Sequence, residues 1–332
     1  MLKPPGLPFL YKTAATTIPS RPLLVLAGLC AVALMLAALF GATAAGQATV
    51  NGLVAGSYLG LGAIGLTLVF GVLRLVNFAH GDLLTAGAYF VIGLSAMGMP
   101  LALAVPGAVA GTALLAYATE VLVWSPMRAA KAGTLQLFLT AIGLALVIRF
   151  SIQFVAGGQA RTLGVDILSS VEVATVRLGL MQVTVLGVGI ATMAAVGLML
   201  RHTTLGKQMR AYADNRSLAE VSGIETRRIV VTTWLLSGFL AGLAGLLYAG
   251  AIGTFNPNFG LTLLLSLFAA AILGGIGNAY GALVGGLIIG LSQEWATLFV
   301  NPRWKPAVGF VILILTLLVL PQGIFGKTRR KS

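Results

Sequence analysis

The sequence predicts an all-α, polytopic integral membrane protein of about ten transmembrane helices, alternatively eight or nine. Three observations predict it. Hydrophobic residues make up 58% of the 332 positions and charged residues only 9%, where soluble domains carry about 25% charged residues. Residues 229–293 contain no Asp, Glu, Lys or Arg, and a helical crossing needs only about 20 apolar residues, so that run crosses more than once. The Lys and Arg residues cluster in short segments between apolar runs, above all in residues 201–228, which is the pattern that sets orientation in a bilayer. The net charge of +13 is therefore read as a signal of orientation and not as a nucleic-acid footprint.

Apolar runs mark the elements in order. They fall near 23–41, 50–73, 83–97 and 101–123, then near 135–155 after the loop that holds Arg128 and Lys131. Residues 157–177 carry both signs of charge, and a sixth run covers 178–200. Beyond the basic segment a seventh run spans 229–248. Asn256, Pro257 and Asn258 break it, because such residues punctuate helices. Residues 261–273 resume, the glycine-rich stretch around Gly274, Gly275, Gly277 and Asn278 interrupts, and 282–299 and 306–320 complete the set.

The basic segments orient the chain. Lys3, Lys12, Arg21, Arg128, Lys131, the 201–228 loop and the tail at Lys327, Arg329, Arg330 and Lys331 are expected on the cytoplasmic side. Both termini then lie inside, which requires an even number of crossings. The first apolar run is longer than the 7–15 residues of a signal-peptide core, so residues 1–46 are read as an extension with a retained anchor helix. The single cysteine, Cys30, excludes an intramolecular disulfide and a cysteine-based metal cluster.

Glycine, with 43 copies, sits mostly inside the spans, where small residues let helix backbones approach. The breaks at Gly274, Gly275 and Gly277 read differently, because unwound backbone at membrane depth is tolerated only when buried or lining a water-filled path. They are candidates for a translocation path or hinge. Residues 51–80 and 237–290 share a loose order of glycine-rich span, break and second span. Their opposite orientations suggest an inverted repeat, an arrangement found in many transporters.

Few charges fall within the spans. Asp82 and His80 stand where the second span gives way to the third. A charge at the centre of a membrane helix costs about 2.5–3.5 kcal/mol on insertion scales, so Asp82 is not expected to face lipid. Two compatible readings follow: Asn77, His80 and Asp82 line the path or its cytoplasmic gate, or Asp82 caps the third span. Glu120 is expected near the cytoplasmic interface. Arg149, about 21 Å along its helix from Leu135, is expected to snorkel outward, with attraction of an anionic substrate group as the alternative. No G-x-x-x-x-G-K-[ST] loop is present, so the chain lacks that means of cradling ATP.

Residues 51–82 run NGLVAGSYLGLGAIGLTLVFGVLRLVNFAHGD, with Asn77-Phe78-Ala79-His80-Gly81 at the core. A second stretch runs from Gly206, Lys207, Gln208, Met209 and Arg210 through Asn215, Arg216, Ala219, Glu220, Val221 and Gly223. Together they resemble the LivH-type permeases of bacterial branched-chain amino acid ABC importers. Weaker matches occur at Ser125-Pro126-Met127-Arg128, Thr140-Ala141-Ile142-Gly143 and around Gly274 to Gly277. The resemblance spans residues 47–325 as a permease domain, leaving 326–332 as a basic tail. It implies a non-catalytic subunit of the inner membrane that binds no cofactor and no nucleic acid. Separate ATPase subunits would use the ATP, beside a second permease subunit, a periplasmic substrate-binding protein and the membrane lipids.

The resemblance also places the coupling element in loop 201–228, with Gly206, Arg210, Asn215, Arg216, Ala219, Glu220 and Gly223 as its candidates. The four-residue spacing of Ala219 and Gly223 suggests one small-residue helical face, rimmed by Arg210, Arg216, Arg227 and Arg228. Branched-chain amino acids are the expected substrate, with urea or short amides as the alternative. An ion-coupled carrier is the rival from another class. It needs ionisable groups inside the membrane, and residues 229–293 supply none.

Overall fold

The computed structural model describes residues 21–326 except 167–168 and 174–175. The basic positions expected at Lys3, Lys12 and 327–332 lie outside the described residues. Every apolar run appears as helix. They are α1 (Arg21–Phe40), α2 (Ala42–Leu73), α3 (His80–Ala96), and α4 (Leu101–Thr119), which passes through a π-helical turn at Glu120–Trp124 into α5 (Ser125–Ala129). Next come α6 (Thr134–Ala156), α7 (Leu180–His202), the short α8 (Thr204–Asp214) and α9 (Arg216–Val221), and α10 (Thr226–Ile252). The series ends with α11 (Phe259–Gly274), α12 (Ala279–Ala296) and α13 (Lys305–Val319). Helices α2, α6, α7 and α10, the unit Leu101–Ala129 and the unit Pro302–Val319 are each long and apolar enough to cross a membrane.

Residues 157–177, which carry both signs of charge, and the first two residues of the sixth apolar run take part in two small antiparallel pairings. Strand β2 (Ser170–Val173) pairs with β3 (Val176–Gly179). Strand β1 (Arg161–Thr162) pairs with β4 (Thr254–Phe255), which lies in the connection between α10 and α11.

Helix α2 is the axis of the molecule. Every residue from Val54 to Val69 is buried, because α1, α7, α10, α11 and α12 surround it. A helix buried on all sides needs no amphipathic stripe, which explains why this run is uniformly apolar and rich in glycine. Gly52, Gly56 and Gly60 meet Leu291, Leu287 and Leu283 of α12 at successive turns, and Gly286 and Gly290 return the contact on the backbones of Gly60 and Gly56. Small residues at four-residue spacing bring two helix axes together where no hydrophobic effect operates between them.

The body is an inverted repeat. Helices α2, α3, α4 and α6 correspond to α10, α11, α12 and α13, and one constant shift along the chain takes Leu73 to Ile252, His80 to Phe259 and Gly81 to Gly260. Packing follows the same exchange, α2 on α12 matching α10 on α4, and α3 on α4 matching α11 on α12. Ser237 bonds to Gly65 while Tyr248 packs on Tyr58, so α2 and α10 run antiparallel and the two halves are inverted. The repeats begin at α2 and α10, earlier than the 51 and 237 that the sequence pattern suggests. Their meeting point is reciprocal: a Cβ on Gly81 would strike the Gly260 carbonyl, and a Cβ on Gly260 would strike the Gly81 carbonyl.

Candidate functional site

The site begins where α2 ends. Arg74 adopts the left-handed conformation (φ 56°) and its N–H donates to the Phe70 carbonyl, which stops the helix. Asn77 Oδ1 accepts from the Ala79 N–H at 3.1 Å, and the His80 N–H donates to the Asn77 carbonyl at 3.3 Å, closing the turn into α3. The chain does not stay at the end of α2. His80 Nε2 lies 2.9 Å from the Gly62 carbonyl, a point about 16 Å back along α2 at 1.5 Å per residue. Residues 74–79 therefore return along α2, and α3 starts deep in the body.

That return corrects three expectations. His80 and Asp82 are not at the mouth of the second span; both are fully buried. Asp82 forms no cap hydrogen bond at the start of α3. Arg149 does not snorkel outward: its Nε donates to Asp82 Oδ1 at 2.8 Å and its Nη2 to Asp82 Oδ2 at 3.0 Å. Counting residues from the expected membrane surface put the two at different depths, and the unwound return removes the difference.

The histidine seat follows from its neighbours. A carbonyl only accepts, so Nε2 carries the ring proton. Gly65 has no side chain where the ring lies, since a Cβ there would sit 2.9 Å from His80 Cε1. Ser237 Oγ donates to the Gly65 carbonyl at 2.9 Å and ties α10 to the same turn of α2. His80 Nδ1, Asn77 Nδ2 and Thr67 Oγ1 are buried without hydrogen-bond partners. The structure thus buries Asn77, His80 and Asp82 at one break, with His80 turned to α2 and Asp82 turned to Arg149 of α6, whose 67-residue separation from Asp82 hides the pairing from sequence spacing.

Gly274, Gly275 and Gly277 lie elsewhere. Gly274 packs on the backbone of Gly281, and Gly277 touches Gly71 near the end of α2. The C-terminal segment is laid along this turn, with the Ile324 N–H donating to the Leu273 carbonyl at 2.8 Å and the Phe325 N–H to the Gly274 carbonyl at 3.2 Å. Gly275 (φ 105°) and Gly277 (φ 85°) occupy conformations open to glycine. The turn is closely packed and bonded, and it is separate from the His80 seat.

The basic segment folds into α8 and α9. Thr203 Oγ1 accepts from the Gly206 N–H and Asn215 Oδ1 from the Leu218 N–H, two helix N-caps. Gly206 rests on the Leu200 backbone, whose carbonyl also accepts from Arg210. Arg216 pairs with Glu220 at 3.0 Å and lies over the Tyr212 ring. Burial pushes the Tyr212 phenol above its usual range, and the hydrogen bond to Glu220 raises Arg216. A cavity of about 170 Å³ lies between this bracket and the end of α2, lined by Arg74, Arg128, Tyr212 and Arg216 among others.

The expected Ala219–Gly223 face does not form. Ala219 is buried, α9 ends at Val221, and Gly223 is in a left-handed turn (φ 80°) with nothing within 4 Å of an added Cβ. What α9 presents instead is Leu218, 63% exposed, and Val221, 88% exposed. These apolar residues sit at i and i+3, hence on one side of the helix, and the sequence signal was available: two apolar residues in an otherwise polar stretch with no apolar partner run. Glu120 is buried and paired with Arg128, and Trp124, one turn on, stacks against Trp234 at 6.3 Å. Among the described residues no three His, Cys, Asp or Glu side chains converge in a way that could hold a metal.

Residues 48–317 match the family described as branched-chain amino acid transport system / permease component. The chain is 30% identical over 295 residues to the high-affinity branched-chain amino acid transport system permease protein LivH of Salmonella typhimurium, covering 85% of this chain and 95% of that one. It is 28% identical to BraD of Pseudomonas aeruginosa over the same shares of each chain. A probable LivH of Methanocaldococcus jannaschii is 29% identical, covering 81% of this chain and 89% of the other.

Proposed function

The chain belongs to the branched-chain amino acid transport system permease component family, and we propose that it carries branched-chain amino acids through the inner membrane as one subunit of an ATP-driven importer. In this reading the face holding Arg74, Arg128 and the α8–α9 bracket is cytoplasmic, in line with its positive charge. Separate ATPase subunits dock on α8 and α9, a second permease subunit completes the pathway, and an extracytoplasmic binding protein delivers substrate to the side of β1–β4 and β2–β3. The chain itself performs no catalysis and takes no cofactor. The permease domain covers 47–325, the N-terminal segment 1–46 serves as an anchor, and 326–332 forms a basic tail.

The observation that carries the coupling role is the exposed pair Leu218 and Val221 on a short capped helix set in a basic surround. A solvated anchor loop has no use for two exposed apolar side chains. A partner with an apolar cleft and an acidic rim uses both the side chains and the arginines. ATP-driven closure of the partner then moves α8–α9, and the motion passes to α7 and α10, on which the bracket packs. A partner shifts such an equilibrium only by preferring one of its states, here one spacing of the bracket.

Val221→Asp and Leu218→Asp leave the body of the protein untouched. We expect normal membrane levels, loss of ATPase co-purification and loss of leucine uptake; retained co-purification in both variants refutes this docking surface. Side is checked separately with single cysteines at Gly158 and Ser217 in a Cys30→Ser background. An impermeant thiol reagent on intact cells should reach Gly158→Cys and not Ser217→Cys. The same uptake assay with leucine, isoleucine, valine, urea and acetamide fixes the substrate class.

A further inference from the structure

Asp82 holds Arg149 along one edge only. The bonds run from Nε and Nη2 to the two carboxylate oxygens, a side-on pairing that uses two of the five guanidinium donors. Among the described residues nothing accepts from Nη1. The Asp82 side chain is 0% exposed, whereas that of Arg149 keeps 9% of its surface. The second edge of the fork, Nη1 with the remaining Nη2 hydrogen, is thus unpartnered, on a side chain that is not fully enclosed.

An arginine inside an apolar helix bundle is expensive, and an apolar pair of similar volume fills such a place at little or no loss of stability. A purely structural account leaves the free edge unexplained. Its planar, parallel donors match a carboxylate or a phosphate bound by two N–H···O bonds, and of these the proposed amino-acid substrate offers the carboxylate. We infer that the free edge of Arg149 binds the α-carboxylate of the transported amino acid, with Asp82 as the positioning residue that fixes the guanidinium plane. This rests on the importer reading above and adds to it the residue that recognises the substrate's carboxylate.

Charge balance favours a zwitterion. Asp82 and Arg149 together are neutral, so a bound amino acid leaves the site neutral. A simple carboxylic acid adds a net negative charge in surroundings of low dielectric, where such a charge is costly. A substrate amide offers no carboxylate at all.

The test uses the purified permease–ATPase complex in nanodiscs, scored by thermal unfolding midpoint and, with the binding protein, by uptake. Leucine should raise the midpoint, 4-methylpentanoate should raise it less, and leucinamide should leave it unchanged. Removing one charge alone threatens folding, so the paired variant Asp82→Asn/Arg149→Gln is compared with wild type. It should keep its own midpoint and its ATPase subunits, lose the leucine shift, and lose uptake by about 30-fold or more. Arg149→Lys, which keeps the charge without the fork, should also lose the leucine shift. The inference is overturned if leucinamide stabilises as well as leucine, or if the neutral pair retains the leucine shift and uptake. Failure of wild type to co-purify an ATPase or to take up any amino acid refutes the importer reading instead.

Discussion

The two helix breaks of the inverted repeat share a backbone and differ in chemistry. In each, a long helix ends, six residues return into the body, an asparagine side chain closes a turn two residues on, and a glycine at the second helical position meets its counterpart. The first break buries His80 and Asp82; at the corresponding positions the second buries Phe259 and leaves Leu261 exposed. Around Phe259 the second half builds an aromatic cluster, with Tyr248 stacked on it at 4.8 Å and Phe255 edge-on at 5.7 Å. Around Asp82 the first half builds an ion pair. A duplicated backbone requires only the glycines and the turn asparagines. The polar side chains of one half are not required by the shared backbone, since the other half forms the same break without them.

The shared part of the comparison should break hardest. Gly260→Val and Gly81→Val each place branched carbons against a backbone carbonyl of the opposite half, where neither partner can rotate away. Both should abolish the folded protein, measured as loss of the monodisperse peak of a fluorescent fusion in size-exclusion chromatography. Gly143→Val, at an α6 position with nothing within 4 Å of an added Cβ, should leave that peak unchanged. If Gly81→Val and Gly260→Val differ greatly from each other, the two breaks are not equivalent as scaffold.

The divergent part should separate the halves. Asp82→Ala leaves the Arg149 charge buried and unpaired, which costs about 3–5 kcal/mol. Leu261→Ala, at a position 44% exposed, should change stability by no more than about 0.5 kcal/mol. Thermal unfolding in detergent, read by the same chromatographic peak, compares them directly. Equal losses mean that Asp82 serves packing alone.

What the sequence made legible follows the same division. Apolar runs of span length identify their helices without help from tertiary contacts, and the turn chemistry of Asn256, Pro257 and Asn258 marks the second break. The glycine-rich character of α2 was readable as close packing, although its partner, α12, was not. Direction is what linear reading cannot supply. Six unwound residues after Leu73 could continue outward or fold back, and only the Gly62 contact decides. Once α3 starts at depth, Asp82 and Arg149 meet. Counting along ideal antiparallel spans had kept them apart. On α9 the four-residue spacing of Ala219 and Gly223 predicted a shared face, but Gly223 lies beyond the helix in a left-handed turn. The apolar residues that reach solvent there are Leu218 and Val221.

The smallest effect concerns the turn asparagines, and it sharpens the comparison at the level of single hydrogen bonds. Asn77 and Asn256 make the same bond, side-chain oxygen to the N–H two residues on, at 3.1 and 2.9 Å. They differ in surroundings, since the first bond is buried and the second exposed. Asn77→Ala strands the Ala79 N–H away from water, and an unsatisfied buried donor costs about 1–3 kcal/mol. The same change removes Nδ2, itself buried without a partner, which offsets part of that loss, so the lower end of the range is expected. In Asn256→Ala water replaces the lost acceptor, and the loss should stay within about 0.5 kcal/mol. Asn77→Ala should therefore lower the unfolding midpoint measurably while Asn256→Ala hardly moves it. Equal shifts would mean that water reaches the first break as freely as the second, and the contrast between a dry polar break and a wet turn would have to be abandoned.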